Sequence, residues 1–276
     1  MNQNSGKHGP AGKIACLLMT KNFSDRILLN PALTSVDKIR LTRQCACETL
    51  RTFYTNVSLV REEARVLREV ARNLMVFYKS VVQANEAAHI LIGEMVANQY
   101  RLCSHSVDVS FYSLLLAGSL KEHKVCKLGE EQLESLCLGS LLHDIGKKLI
   151  EEKIFVKNTP LTHDEYDTVK QHPQLGVEIA SNANEFDEDT LNVIAQHHEQ
   201  WEGGGYPGNL SLQQITPLAR IASIADSFDA LTTVKPYRPA FSPFDALTLM
   251  KRKMLGKFYH LYLDIFIQSL GRVMVS

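Results

Sequence analysis

The sequence predicts an all-α protein, and three observations carry that reading. Between Val36 and Val96 there is no proline and no glycine before Gly93, while Glu, Arg, Ala, Leu and Val fill the middle. Helix starts then recur. Thr162-x-x-Glu165 fits a capping box, and Thr216-Pro217 and Ser242-Pro243 each set a capping hydroxyl before a proline suited to the first helical turn. From about Ile90 onward no convincing alternation of apolar and polar residues marks a strand.

The totals agree with a globular chain. Its 276 residues suffice for one large domain, or one domain plus a smaller module. Apolar content of 45% with 22% charged residues supports a real core. Thirty basic and thirty acidic residues cancel, which argues against nucleic-acid binding by bulk electrostatics and leaves room for a local basic pocket. Cys16, Cys45, Cys47, Cys103, Cys126 and Cys137 form no C-x-x-C pair and several lie in apolar helical patterns, so reduced, mostly buried thiols and a cytoplasmic location are expected. The apolar run Ile14–Met19 falls far short of the roughly 20 residues a membrane span needs, so no membrane association is expected.

Taken in order, residues 1–35 are expected to be flexible or irregular, with Gly6, Gly9, Pro10 and Gly12 among polar residues at the start. Residues 36–95 are expected to form a smaller helical module of two or three helices. Arg61–Leu74 is the clearest of them, with Val66, Val70 and Leu74 spaced by four. Its charges Arg61, Glu62, Glu63, Arg65, Arg68, Glu69 and Arg72 read as a solvated face, or more sharply as a surface for homodimerisation or signal reception. Residues 96–276 form the second domain. In it, Leu102–Ala117 reads as a buried helix, and His172-Pro173 puts a histidine at a helix entry because the residue before proline resists the α conformation. Thr190–His198 presents Leu191, Ile194, Ala195 and His198 on one face, and Leu218–Asp226 is strongly apolar up to its aspartate.

The chemistry gathers around Leu141-Leu142-His143-Asp144-Ile145-Gly146-Lys147-Lys148. An imidazole and a carboxylate side by side can share one divalent metal, or the aspartate can bridge two. Further ligand types follow on separate segments: His105, His172, His197-His198 and Asp226. Each histidine alone has a duller reading as a hydrogen-bonded core or surface residue. Asp226 resists one, since a carboxylate on an apolar face is costly unless paired or metal-bound. Five histidines and two aspartates exceed one tetrahedral zinc and suit two ions, with Asp144 between them. Two such ions about 4 Å apart are the usual arrangement for phosphoester hydrolysis.

Cations and a loop complete the picture. In His197–Gly208, the run Gly203-Gly204-Gly205-Tyr206-Pro207-Gly208 is joined to the double histidine by only four residues, which favours a substrate-facing loop presenting Tyr206 over an idle surface turn. Lys235-Pro236-Tyr237-Arg238 offers two cations suited to phosphate. Lys147, one turn from the histidine–aspartate pair, could hold a phosphate or protonate a leaving oxygen.

The combination His143-Asp144-Ile145-Gly146-Lys147, His172-Pro173, His197-His198-Glu199, Gly205-Tyr206-Pro207 and Ala225-Asp226-Ser227-Phe228-Asp229-Ala230-Leu231-Thr232 resembles the HD-GYP family, a bacterial branch of the HD phosphohydrolases, over residues 96–270. The resemblance implies an all-helical HD-domain bundle with a bi- or trinuclear iron or manganese site. It implies hydrolysis of cyclic di-GMP to linear pGpG or GMP by a hydroxide between the metals; some members prefer cyclic GMP-AMP. By position, His105, His143, Asp144, His172, His197, His198 and Asp226 match the metal ligands, with Asp144 the bridge. Lys147, Gly205, Tyr206, Pro207, Lys235 and Arg238 match positions that meet substrate, and the Gly-Tyr-Pro loop can also dock diguanylate cyclase domains.

Departures refine the expectation. Arg101 stands where trinuclear members have a glutamate, which points to two ions. Glu202 stands for the usual aspartate, and Lys235 for the usual arginine, which keeps charge but loses the bidentate fork. A generic HD phosphohydrolase on another nucleotide, and a non-catalytic docking module using the Gly-Tyr-Pro loop, are the competing readings.

Overall fold

The computed structural model describes residues 22–54, 59–83, 93, 95, 102–157, 159–235 and 238–275. Among them the chain is helical throughout, and its one β-bridge joins Lys235 to Arg238. The principal helices are α1 (Ser35–Tyr54), α2 (Arg61–Phe77), α3 (Leu102–Glu122), α4 (Glu130–Leu142), α5 (His163–Val169), α6 (His172–Ser181), α7 (Glu188–Gln196), α8 (Pro217–Thr232), α9 (Pro243–Lys253) and α10 (His260–Val275). The all-α expectation is met. No described helix is long and apolar enough to cross a membrane.

The expected helix starts are where local chemistry puts them. The Thr162 hydroxyl accepts from Glu165 N while Glu165 reaches back to Thr162 N. Thr216 and Ser242 cap α8 and α9 with prolines in the first turn. His172 is the first residue of α6, just before Pro173.

Helix α3 is the axis of the bundle. Fifteen of its residues are buried, so it has no solvent face and must be surrounded. It packs against α1, α4, α8 and α10, with Tyr112 edge-on to Phe228 (5.0 Å) and Phe228 edge-on to Phe266 (5.3 Å). Polar side chains on such a helix need partners, and those of α3 include the first half of the site.

The N-terminal helices share this core: Leu50, Leu67, Val70 and Leu74 belong to the same buried cluster as Leu116, Leu136 and Ile224. The charged face of α2 adds ion pairs to the solvated face expected from the sequence. Arg61 and Arg65 pair with Glu185, and Arg68 and Arg72 pair with Glu134, while Arg61, Glu62, Arg65 and Arg72 stay exposed, so the face is solvated as read and tied at its edge to α4 and the α6–α7 connection. Its apolar residues Ala64, Leu67, Val70, Ala71 and Leu74 are buried in the chain's own core. The described part of the segment expected to be irregular contains a π-helical turn, Ser24–Leu28, that buries Phe23 and Ile27. Cys16, the run Ile14–Met19 and the glycines near the start lie outside the described residues. Cys45, Cys47 and Cys137 are buried free thiols, and Cys103 and Cys126 are half-buried free thiols.

The face expected of α7 is displaced by one residue. Thr190, Val193 and Ile194 are buried, followed by His197, whereas Leu191, Ala195 and His198 are half-buried. Apolarity alone misled here, because a threonine and a histidine occupy the inward stripe.

Candidate metal centre

The histidines that end helices are aimed by their own backbone. The last carbonyls of a helix lack intrahelical donors. At the end of α4, His143 Nδ1 donates to Ser140 O at 2.8 Å; after α5, His172 Nδ1 donates to Val169 O at 2.7 Å; at the end of α7, His197 Nδ1 donates to Ile194 O at 2.8 Å. A carbonyl only accepts, so each ring carries its proton on Nδ1 and turns a lone pair on Nε2 into the centre. His105, on the flank of α3, is held differently: its Nδ1 lies 2.6 Å from Asp229 Oδ2, a carboxylate–imidazole pair of the kind that orients metal ligands.

These rings converge with two aspartates into two adjacent groups. Ligand atoms of Asp144, His172, His197 and His198 lie within 4.8 Å of one another, and so do those of His105, His143 and Asp226. Asp144 faces both. Its Oδ1 is 3.3 Å from His172 Nε2, while its Oδ2 is 3.5 Å from His143 Nε2 and 3.7 Å from His105 Nε2. Asp226 Oδ1 is 3.1 Å from His105 Nε2, and its Oδ2 is 3.9 Å from His198 Nδ1. Six of the seven expected ligands are buried and His198 is half-buried.

Gly146 makes this convergence sterically feasible. A Cβ there would sit 2.0 Å from His172 O and 2.5 Å from Gly176 N. Only glycine lets the turn after Asp144 (Ile145–Leu149) press onto the start of α6, closing the gap between Asp144 and His172.

The electrostatics fit divalent cations. Burial, with the neighbouring imidazoles, pushes His197 and His198 well below the ordinary histidine range. Burial takes His172 down to about 4, with Lys147 acting in the same direction. Burial alone would raise Asp144 and Asp226, but Lys147, His143 and His172 hold Asp144 far down, as His105 and His198 hold Asp226. Neutral imidazoles beside ionised carboxylates are the protonation states metal ligation needs. His105 is the exception: burial lowers it, yet Asp226 and Asp229 outweigh burial and bring it up to about 9. The Nε2 atoms of His172 and His197, both bearing lone pairs, face each other at 3.2 Å, a repulsive contact that a shared cation relieves. The donor set therefore suits two hard or borderline divalent ions.

The expected substrate residues divide. Lys147 Nζ lies 2.6 Å from Asp144 Oδ2, at the edge of the centre. Lys235 is half-buried, and burial with Lys147 nearby lowers it to about 8. Tyr206 leans its ring on His198, with centroids 4.7 Å apart, and crosses His172 edge-on at 6.3 Å. Arg238 does not join them. Its guanidinium donates to the carbonyls of Ala230, Leu231 and Pro239 and stacks over Phe241, closing the end of α8 instead of facing a phosphate. Arg101 and Tyr237 lie outside the described residues.

The Gly-Tyr-Pro loop is tightly braced. A Cβ on Gly205 would meet Gln200 N at 2.5 Å and Glu199 Cα at 2.6 Å. The buried Glu199 carboxylate accepts from Gly208 N (2.5 Å) and Leu210 N (2.8 Å), and Trp201 N donates to Lys257 O at 3.0 Å. Several of these residues carried no role in the sequence reading. Asp229 and Glu199 stand unassigned inside the motifs, and Lys257, half-buried with its ammonium on Ser227 Oγ at 2.9 Å, stands in none. The reasoning that marked Asp226, a carboxylate on an apolar helix, applies equally to Asp229 three residues later.

Comparison with known proteins follows the same outline. The HD domain family matches residues 94–259. The cyclic di-GMP phosphodiesterase response regulator RpfG of Xanthomonas campestris pv. campestris is 36% identical over 124 residues, 45% of this chain and 33% of that protein. The cyclic di-GMP phosphodiesterase PA4108 of Pseudomonas aeruginosa is 31% identical over 171 residues, 62% of this chain and 40% of that protein. The chain thus matches well under half the length of these curated relatives. Among solved structures, the HDG"Y"P protein Bd1817 of Bdellovibrio bacteriovorus superposes with a TM-score of 0.71 at 20% identity, covering 88% of this chain and 74% of that one, a likeness of fold.

Proposed function

Because the chain belongs to the HD-domain family, in its HD-GYP group, we propose that it is a metal-dependent phosphodiesterase hydrolysing cyclic di-GMP to linear pGpG, GMP or both. The observation that carries this is the split of the ligands into two adjacent groups, with the two oxygens of Asp144 facing one group each. His105, His143 and Asp226 would hold one ion and His172, His197 and His198 the other, with Asp144 shared. Bound there, iron or manganese would supply Lewis acidity to the phosphodiester and make water a competent nucleophile near neutral pH.

The chain's own residues supply the rest. Lys147 and Lys235 stand near each other beside Asp144, where two ammonium groups can receive a phosphate and offset charge developing on its oxygens. Lys147 would serve as the donor that protonates the leaving 3′-oxygen. The Tyr206 ring, half-buried over His198, shields that end of the centre from water and offers a flat face to the substrate. The exposed edge of the same loop, Pro207 to Asn209, is the surface a diguanylate cyclase domain would meet.

The test is incubation of iron- or manganese-loaded chain with cyclic di-GMP and, in parallel, cyclic GMP-AMP, with chromatography of the products. Release of pGpG or GMP is expected. Tyr206→Ala is expected to weaken substrate handling while both ions are retained. A fully metallated chain that turns over neither dinucleotide would overturn the enzymatic reading in favour of a docking module.

A further inference from the structure

The sequence gives the first helices no part in the metal centre, and α1 reaches closer to it than a separate module would. Asp108 lies on α3 one turn after His105 and is 3% exposed. Arg43, on α1, forks onto it: Nε to Oδ1 at 2.6 Å and Nη2 to Oδ2 at 2.6 Å. The neighbouring Ser106 is also met from α1, by Tyr54 OH at 3.2 Å, and the same hydroxyl donates to Leu141 O, close to His143. From the adjoining residue, Phe53 O accepts Lys148 Nζ at 3.0 Å, in the turn that follows Asp144. From its middle, at Arg43, to its end, at Phe53 and Tyr54, α1 therefore holds Asp108 and Ser106 of α3 and the histidine–aspartate turn.

The partner of His105 is held loosely by comparison. Asp229 Oδ2 accepts from His105 and from Thr233 Oγ1 at 3.2 Å, but its Oδ1 is buried with no hydrogen-bond donor among the described residues. Nothing on α8 locks that carboxylate fully, so the geometry of the pair depends on where α3 presents His105. A bidentate guanidinium–carboxylate pair fixes both distance and rotation, which a single contact does not. We infer that Arg43 is a positioning residue for the metal centre: through Asp108 it sets the rotation of α3 that brings His105 onto Asp229 and its Nε2 beside Asp226.

The plain competitor is a staple that joins α1 to α3 and does nothing else. The two differ in what fails. A lost staple lowers the stability of the whole bundle and weakens both ions in step. A lost positioning residue weakens the ion of the His105 group and spares the one held by ligands oriented through their own backbone. Residues that orient a metal ligand typically contribute about 10–100-fold to affinity.

This inference rests on the dimetal reading, and its test separates the two. The full chain and two variants are titrated with cobalt(II) under visible absorption, with thermal unfolding followed alongside. Arg43→Lys keeps the charge and loses the fork. Arg43→Gln combined with Asp108→Asn leaves no uncompensated buried charge, so it folds where a simple truncation of Arg43 would endanger folding. Both variants are expected to bind the first ion as the parent does and the second about tenfold or more weakly. Asp229→Asn should weaken the same ion, and adding Arg43→Lys to it should cost less than the product of the single effects, since both act through His105. Variants that bind both ions like the parent, or lose both in step with thermal stability, overturn the inference alone. A parent chain that takes up fewer than two cobalt ions overturns the dimetal reading and this inference with it.

Discussion

Five of the seven ligands stand where helices end, and two project from helix flanks; the groups are held in different ways. His143, His172 and His197 are aimed by hydrogen bonds to carbonyls three residues back, so a helix terminus orients them with no help from elsewhere. His105 and Asp226 have no such device. His105 depends on Asp229 from another helix, and Asp108 beside it depends on Arg43 from a third. Backbone-oriented ligands are local and hard to perturb singly. Ligands on flanks are only as good as the packing that delivers them.

The largest effect is expected where the halves meet. Asp144→Ala removes the side chain that faces both groups, and both ions and turnover should be lost together, well beyond the roughly 10–100-fold of a supporting residue. Retention of one ion at parental affinity, seen by elemental analysis, would deny Asp144 its shared role. Next comes Gly146→Ala. Its Cβ would fall 2.0 Å from His172 O, a backbone atom that cannot swing aside. Overpacking typically costs about 1–3 kcal/mol, and a backbone clash belongs at the upper end. Thermal unfolding should show that loss, with the His172 group weakened; an unchanged midpoint would show that α6 shifts without consequence.

Asp229→Asn is a smaller and more selective change. An amide keeps the shape but gives up the carboxylate that His105 leans on, so one ion should weaken about 10–100-fold and the other hardly at all. Calorimetric titration with manganese distinguishes this from a uniform fall. The contrast has no counterpart among the backbone-oriented ligands, whose supporting carbonyls cannot be substituted.

The same division governs what the sequence disclosed. Helix starts such as Thr162 and Thr216, and the histidine–aspartate turn, are local and were readable because their chemistry is completed within three or four residues. The ligand set was readable as residue types on separate helices, and the structure brings all seven together. The fork from Arg43 to Asp108 spans 65 positions, and no periodicity announces it. The ion pairs of the exposed α2 arginines were not readable either, because Glu134 and Glu185 arrive from far along the chain. Arg238 looked like a phosphate cation because spacing does not reveal that nearby carbonyls of α8 claim its donors first.

The smallest expected effect concerns the cations at the edge of the centre, Lys147 and Lys235. Burial, and then the charge of Lys147, lowers Lys235 to about 8 although Asp229 and Asp226 pull the other way. Its ammonium is therefore charged below about pH 8 and neutral above it. Attraction for a phosphodiester is present on the acid side and fades as pH rises through that value, so kcat/KM, which reports the free enzyme, should fall on the alkaline limb. Lys235→Arg provides the control. A guanidinium stays protonated throughout, so the fall near pH 8 should disappear while the acid side keeps its rate. If the alkaline limb survives the substitution unchanged, the titrating group is another one, and Lys235 acts at most as a neutral donor. If it disappears, the lysine at this position makes substrate capture pH-sensitive in a way that the usual arginine does not.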